Sequence, residues 1–146
     1  MKSTLGQLED VRQSRWLWLA RGCILLVFAI NLLCAFQFIL QPTRYTSSFD
    51  LNGYSGTAVI RSIGILFLMW NVPYAFALIN PVRNFTALLS AIIMQAIGVI
   101  GETWVYFSIP LLLSFTQSIS RFIIFDAVGL ILLLISLGIS WRLRKS

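Results

Sequence analysis

Three ionisable side chains stand out in the long apolar runs of this sequence, Arg61, Glu102 and Asp126, with Arg121 placed either to pair locally with Asp126 or to snorkel to the outer surface. An ion in hydrocarbon costs roughly 2.5–3.5 kcal/mol on insertion scales, so such groups turn inward and seek partners. One guanidinium beside two carboxylates would serve as their counterion and leave about one negative charge in excess. That excess can take a cation or a proton. The competing outcome is a satisfied ion pair that orders helices and does no chemistry. Three neutral polar residues, Asn31, Asn71 and Gln95, lie near the centres of three runs. Tyr74 stands beside Pro73 in the run Trp70-Asn71-Val72-Pro73-Tyr74. Proline there removes a helical donor and crowds the carbonyl of Met69, so a kink is expected, with Asn71 or Tyr74 satisfying the freed group. A kink beside Asn71 and Gln95 would open a midplane pocket. Arg61, Glu102, Asp126, Asn71, Gln95, Asn31 and Tyr74 are therefore the candidate ligand- or ion-binding residues. No catalytic residue is assigned.

The rest of the composition removes most enzyme chemistry. There is no histidine, which excludes imidazole acid–base catalysis, Ser-His triads and most zinc sites. Cys23 and Cys34 fall in one apolar run, where a helix would hold them roughly 16 Å apart, too far to bridge. No C-x-x-C occurs, so thiol–disulfide exchange is not expected. No metal-ligand set or glycine-rich phosphate loop is present, so neither a metal nor a cofactor is expected. The net charge is +6, but the basic residues flank apolar runs. They fit membrane topology and anionic headgroups, not nucleic acid.

The elements that must position these residues follow from the hydropathy. The chain of 146 residues is 58% hydrophobic and 11% charged, against about 45–50% and 25% in soluble domains. A core of this size could not hide so much apolar surface in water. The sequence reads as one all-α integral membrane domain over residues 1–146. Its spans are about 16–40, 60–79, 85–107 and 121–141. Each is near the roughly 20 residues that cross about 30 Å of hydrocarbon, and in lipid the backbone must bond internally as helix. The first run is too long for a signal-peptide core and lacks a small-residue cleavage site, so it is expected to be retained. Residues 1–15, with Thr4-x-x-Gln7 as a capping box and Leu5, Leu8 and Val11 at helical spacing, suggest an interfacial amphipathic segment.

Asn80-Pro81-Val82-Arg83-Asn84 makes a tight hairpin between spans two and three, with Pro81 stopping one helix and Asn84 capping the next. A polar loop is expected over 41–57. Ile109-Pro110-Leu111-Leu112-Leu113, in the second outer loop, is apolar enough to dip into the interface or to extend span three past a kink. Lys2, Arg12, Arg15, Arg21, Arg83, Arg142, Arg144 and Lys145 fall on one side, and Arg44, Arg61 and Arg121 on the other. The positive-inside rule then puts both termini and the hairpin in the cytoplasm of a multi-pass cell-membrane protein. Trp16, Trp18 and Trp141 mark the inner interface; Tyr45, Tyr54, Trp104 and Tyr106 mark the outer one. Asn84-Phe85-Thr86 is formally a glycosylation sequon, but this topology hides it from glycosylation.

Helical spacing gives each span one inward stripe. They are Ala20, Ile24, Val27, Asn31, Cys34, Phe38; Arg61, Gly64, Leu68, Asn71, Ala75; Ala87, Ala91, Gln95, Gly98, Glu102, Tyr106; and Phe122, Asp126, Gly129, Leu133, Ser136, Ser140. Small residues let helices approach and polar ones need partners, so these stripes are expected to face each other in a four-helix bundle. Arg61, Glu102 and Asp126 would then meet in the outer leaflet.

The stretch Tyr74-Ala75-Phe76-Ala77-Leu78-Ile79-Asn80-Pro81-Val82-Arg83, followed by Leu88, Leu89 and Ala91, resembles the DoxX-like group of small four-helix bacterial membrane proteins. It departs from that group in lacking glycine before the turn. The resemblance covers about a third of the chain and implies a four-span bundle with an accessory role in a membrane complex. It carries over no catalytic residue. Three functions stay open. The first is a lipid- or small-molecule-binding protein or accessory subunit, whose partners are the bilayer, a small hydrophobic ligand, another membrane protein or a second copy. The second is a small proton- or cation-coupled transporter using Glu102 and Asp126. A membrane enzyme with carboxylate acid–base chemistry ranks third.

Overall fold

A computed structural model describes residues 4–108 and 113–145. It contains four long helices: α1 (Thr4–Leu40), α2 (Gly53–Ile79), α3 (Phe85–Ser108) and α4 (Leu113–Lys145). All four are long and apolar enough to cross a membrane. They pack as a ring in chain order, α1 on α2, α2 on α3, α3 on α4 and α4 back on α1, with α1–α2 the most extensive seam. The other two pairings, α1 with α3 and α2 with α4, are diagonals.

Large apolar side chains are exposed along every helix, with Trp18, Ile97, Ile100 and Trp104 all above 60%. In water that surface would drive aggregation; in hydrocarbon it is the solvent-matched face. The half of the core nearer the α2–α3 hairpin is aliphatic and small: Ile24, Val27, Ala77, Leu88, Ala91, Ile92 and Leu133, with Tyr74 among them. The other half is aromatic. Phe38 of α1 touches Tyr45, Phe49, Phe67 and Phe122 at centroid distances of 4.8–6.3 Å. Phe67 and Phe122 also meet each other at 6.0 Å, across the α2–α4 diagonal.

The helices outrun the expected spans. α1 is continuous from Thr4 and has 37 residues, about 55 Å at the helical rise, so the N-terminal segment continues the span as one rod. The Thr4–Gln7 capping box lies outside the described side chains. α2 starts at Gly53, inside the expected loop. The polar residues there leave hydrocarbon without leaving the helix: Thr57 bonds the Gly53 carbonyl at 3.0 Å. The shortened loop holds two 3-10 turns, Pro42–Arg44 and Ser47–Phe49, and a left-handed Asp50 at φ 53°. Ser118 of α4 donates to the Ser48 carbonyl at 2.8 Å and ties this loop down. α4 starts at Leu113, and the apolar Ile109–Leu112 stretch with the expected Pro110 kink lies outside the described residues.

α2 stays helical through Pro73. Neither expected rescue of the Met69 carbonyl occurs. Asn71 donates instead to Phe67 O at 2.7 Å, and Tyr74 reaches across to α3. Between α2 and α3, Asn80 Oδ1 accepts from the Val82 and Arg83 amides, each at 3.0 Å. Asn84 does not cap α3 with its side chain. Its Nδ2 turns back to the Phe76 carbonyl at 2.7 Å, closing the C-terminus of α2, where carbonyls lack helical donors.

Candidate functional site

A polar chain joins three helices. The Tyr74 hydroxyl of α2 directs its proton at Gln95 Oε1 of α3, with the Ala91 carbonyl also within 3.2 Å. Gln95 Nε2 donates to Asp126 Oδ1 of α4 at 2.7 Å, with the Asp126 carbonyl at 3.4 Å. Tyr74 and Gln95 are buried, at 3% exposure each. The order is dictated by donor chemistry. Tyrosine supplies one proton, the amide accepts at one end and donates at the other, and the carboxyl accepts last.

Two glycines make room for this chain. A Cβ at Gly129 of α4 would stand 2.7 Å from Gln95 Nε2, and any side chain at Gly98 of α3 would collide with Asp126 Oδ2. Each helix of the α3–α4 pair thus gives up a side chain where the other projects its polar group. Close backbone approach and a polar contact occur together, as in other membrane helix pairs.

Glu102 lies two turns beyond Gln95 on α3. It is half-buried, and its Oε2 is buried without a hydrogen-bond partner. Glu102 and Asp126 lie within electrostatic range of one another. No cation pairs with either carboxyl among the described residues. Groups of histidine, cysteine, aspartate and glutamate suited to a metal ion are likewise absent among them.

Arg61 does not join the acids, which corrects the expected cluster. It is exposed and donates from Nε to the Ile39 carbonyl at 3.2 Å, in the last turn of α1. Two physical reasons account for this. The first is depth. Tyr74 and Gln95 set the α2–α3 register; Arg61 then sits about 20 Å from Tyr74 along the axis away from the α2–α3 hairpin, whereas Glu102 sits only about 10 Å from Gln95 in the same direction. The second is that the C-terminal carbonyls of α1 offer a guanidinium acceptors and a favourable dipole end. Arg21 of α1 makes the reciprocal contact, from Nε to the Leu78 carbonyl at the end of α2, at 3.0 Å. Its guanidinium also lies 4.6 Å from the Trp18 ring centre. This pairing was missed in the sequence. Its one signal is spacing: Arg21 and Arg61 stand at nearly equal distances before the ends of their own helices, Leu40 and Ile79, so antiparallel pairing sets each opposite the other helix's last turn.

The inner face of α2 is also turned from the expected stripe. Ile60, Gly64, Asn71 and Tyr74 are buried, while Arg61 and Leu68 are exposed. Both stripes share Gly64 and Asn71, and the buried flank is the one carrying the large residues. Asn71 Oδ1 is buried without a partner. Asn31 is half-buried and joins no hydrogen bond among the described residues. On α4 the expected stripe is inward, and it includes Ser136 and Ser140, both fully buried with unpartnered hydroxyls. Of the seven candidates, the fold therefore unites Tyr74, Gln95 and Asp126, holds Glu102 nearby, and leaves Asn71, Asn31 and Arg61 apart.

Comparisons with protein-family models, with curated proteins and with solved structures found no match.

Proposed function

We propose that this chain is a multi-pass protein of the cell membrane that binds a proton or a small cation within the bilayer at Glu102 and Asp126. Both termini and the α2–α3 hairpin lie on the cytoplasmic side, following the excess of Lys and Arg there. The observation that carries the reading is the absence of a cationic partner for the two carboxyls among the described residues, with Glu102 Oε2 buried and unbonded. Two negative charges close together in apolar surroundings are strongly disfavoured, and a proton or cation relieves that cost. The Tyr74–Gln95 chain holds Asp126 from below, so Glu102 is the group free to exchange.

The test is flux. In proteoliposomes the wild-type chain dissipates an imposed pH or cation gradient, and Glu102→Gln slows this at least tenfold while its circular dichroism and melting are unchanged. Equal rates for wild type and variant overturn the reading.

A second reading keeps the chain as a lipid- or small-molecule-binding protein or an accessory subunit, in line with the DoxX-like resemblance. The satisfied chain Tyr74–Gln95–Asp126 favours it, since a saturated network locks helices and needs no ligand. It predicts co-purification with one membrane partner and no flux by the purified chain alone.

A further inference from the structure

A groove of about 440 Å³ runs between the N-terminal part of α1 and the C-terminal part of α4. Arg12 and Arg142 stand at it, one from each helix, and Trp16 lines it with them. Leu134, Ile135 and Gly138 line the deeper part. Gly138 has open space where a side chain would be. Arg12 and Arg142 are both exposed, and neither has a hydrogen-bond or ion-pair partner among the described residues.

The depth of these residues is set by helix arithmetic. Arg12 is 28 residues from Leu40, the other end of α1, or about 42 Å at the helical rise. Hydrocarbon is about 30 Å thick, so with Leu40 at one edge the Arg12 backbone stands about 12 Å past the other, and its long side chain reaches back to the phosphates. Trp16, one turn deeper, falls where indoles settle at the interface. Leu134 and Ile135 lie two turns or so below Arg142, inside hydrocarbon. The groove is thus charged where phosphates are and apolar where acyl chains are.

We infer that this groove is a binding site for one anionic phospholipid of the cytoplasmic leaflet, its phosphate between Arg12 and Arg142 and an acyl chain along Leu134, Ile135 and Gly138. Guanidinium groups suit a phosphodiester because their planar fork matches its oxygens. A zwitterionic lipid brings its own cation to the same place and loses most of that attraction. A second protein helix would need an acidic residue at the level of the arginines above a small-residue face, a narrower requirement than a lipid phosphate with its acyl chain meets. The site is independent of the carboxyls at Glu102 and Asp126, which lie in the opposite half of the bundle.

The experiment uses the full chain in mild detergent, with melting followed as phosphatidylglycerol, phosphatidylcholine or inorganic phosphate is added. Phosphatidylglycerol is expected to raise the melting temperature at a concentration at least tenfold lower than phosphatidylcholine. Inorganic phosphate is expected to have no effect at millimolar levels. The double variant Arg12→Gln/Arg142→Gln abolishes the preference. Gly138→Leu, which keeps both charges and fills the floor, weakens phosphatidylglycerol at least fivefold. Equal action of the two lipids, full action of phosphate, or an undiminished preference in the double variant overturns the assignment. If Gly138→Leu binds as well as wild type, the acyl-chain half of the proposal fails.

Discussion

The α1–α2 and α3–α4 seams handle polar groups in opposite ways. On α1–α2 two cations cross over reciprocally, Arg21 to the end of α2 and Arg61 to the end of α1, and both finish on backbone carbonyls. Between them the seam is closed by Gly64, whose Cβ would stand 2.9 Å from the Ala35 carbonyl and 2.8 Å from Phe38 Cβ. On α3–α4 the crossing groups are Gln95 and Asp126, each received by a glycine on the partner helix, and they finish on each other. The contrast shows that opposite charges in a membrane need not meet. A helix C-terminus satisfies an arginine locally, and Asp126 is then left to a neutral amide.

The largest test of this contrast is at the tight seam. Gly64→Val presses side-chain atoms onto the Ala35 carbonyl, which cannot swing away, and should cost about 3 kcal/mol of stability in a detergent unfolding titration. A loss below about 1 kcal/mol would mean the α1–α2 approach is looser than described. Next is Gln95→Leu, which strands the Asp126 carboxyl and leaves the Tyr74 hydroxyl only the Ala91 carbonyl; about 2 kcal/mol is expected by the same titration. Tyr74→Phe removes one link only and should cost about 0.6 and no more than about 1.7 kcal/mol.

Arg61→Ala and Arg21→Ala are the smallest, at about 0.3–1 kcal/mol each, the usual worth of a cation at a helix C-terminus. Arg61→Ala sharpens the comparison further, because it should leave gradient dissipation in proteoliposomes at the wild-type rate. A rate change as large as that of Glu102→Gln would put the guanidinium back beside the acids.

Much of the bundle was legible from residue order. Four apolar runs and the demand for internal backbone bonds in lipid were enough for four spanning helices. The α3 stripe through Ala91, Gln95 and Gly98 and the α4 stripe through Gly129, Leu133 and Ser136 face inward as spacing implies. Helix ends were less legible. Polar residues after Asn52 read as loop, yet α2 is already formed there, because hydropathy reports where hydrocarbon stops and not where hydrogen bonding does. The α2 stripe was ambiguous for a different reason. Ile60-Gly64-Phe67-Asn71-Tyr74 and Arg61-Gly64-Leu68-Asn71-Ala75 have the same periodicity and share two members.

Sequence alone thus determined the solvent, the helical class and the small set of polar residues that could matter, since each depends on transfer cost and local backbone bonding. It could not determine which of those residues touch. The register of α2 against α3 sets Tyr74 opposite Gln95, and the slack in helix ends decides that Arg61 stops at Ile39. Axial offsets of 10 or 20 Å between rods leave no trace in the composition of either rod. Only the assembled bundle decided that the acids would lie near each other without the arginine.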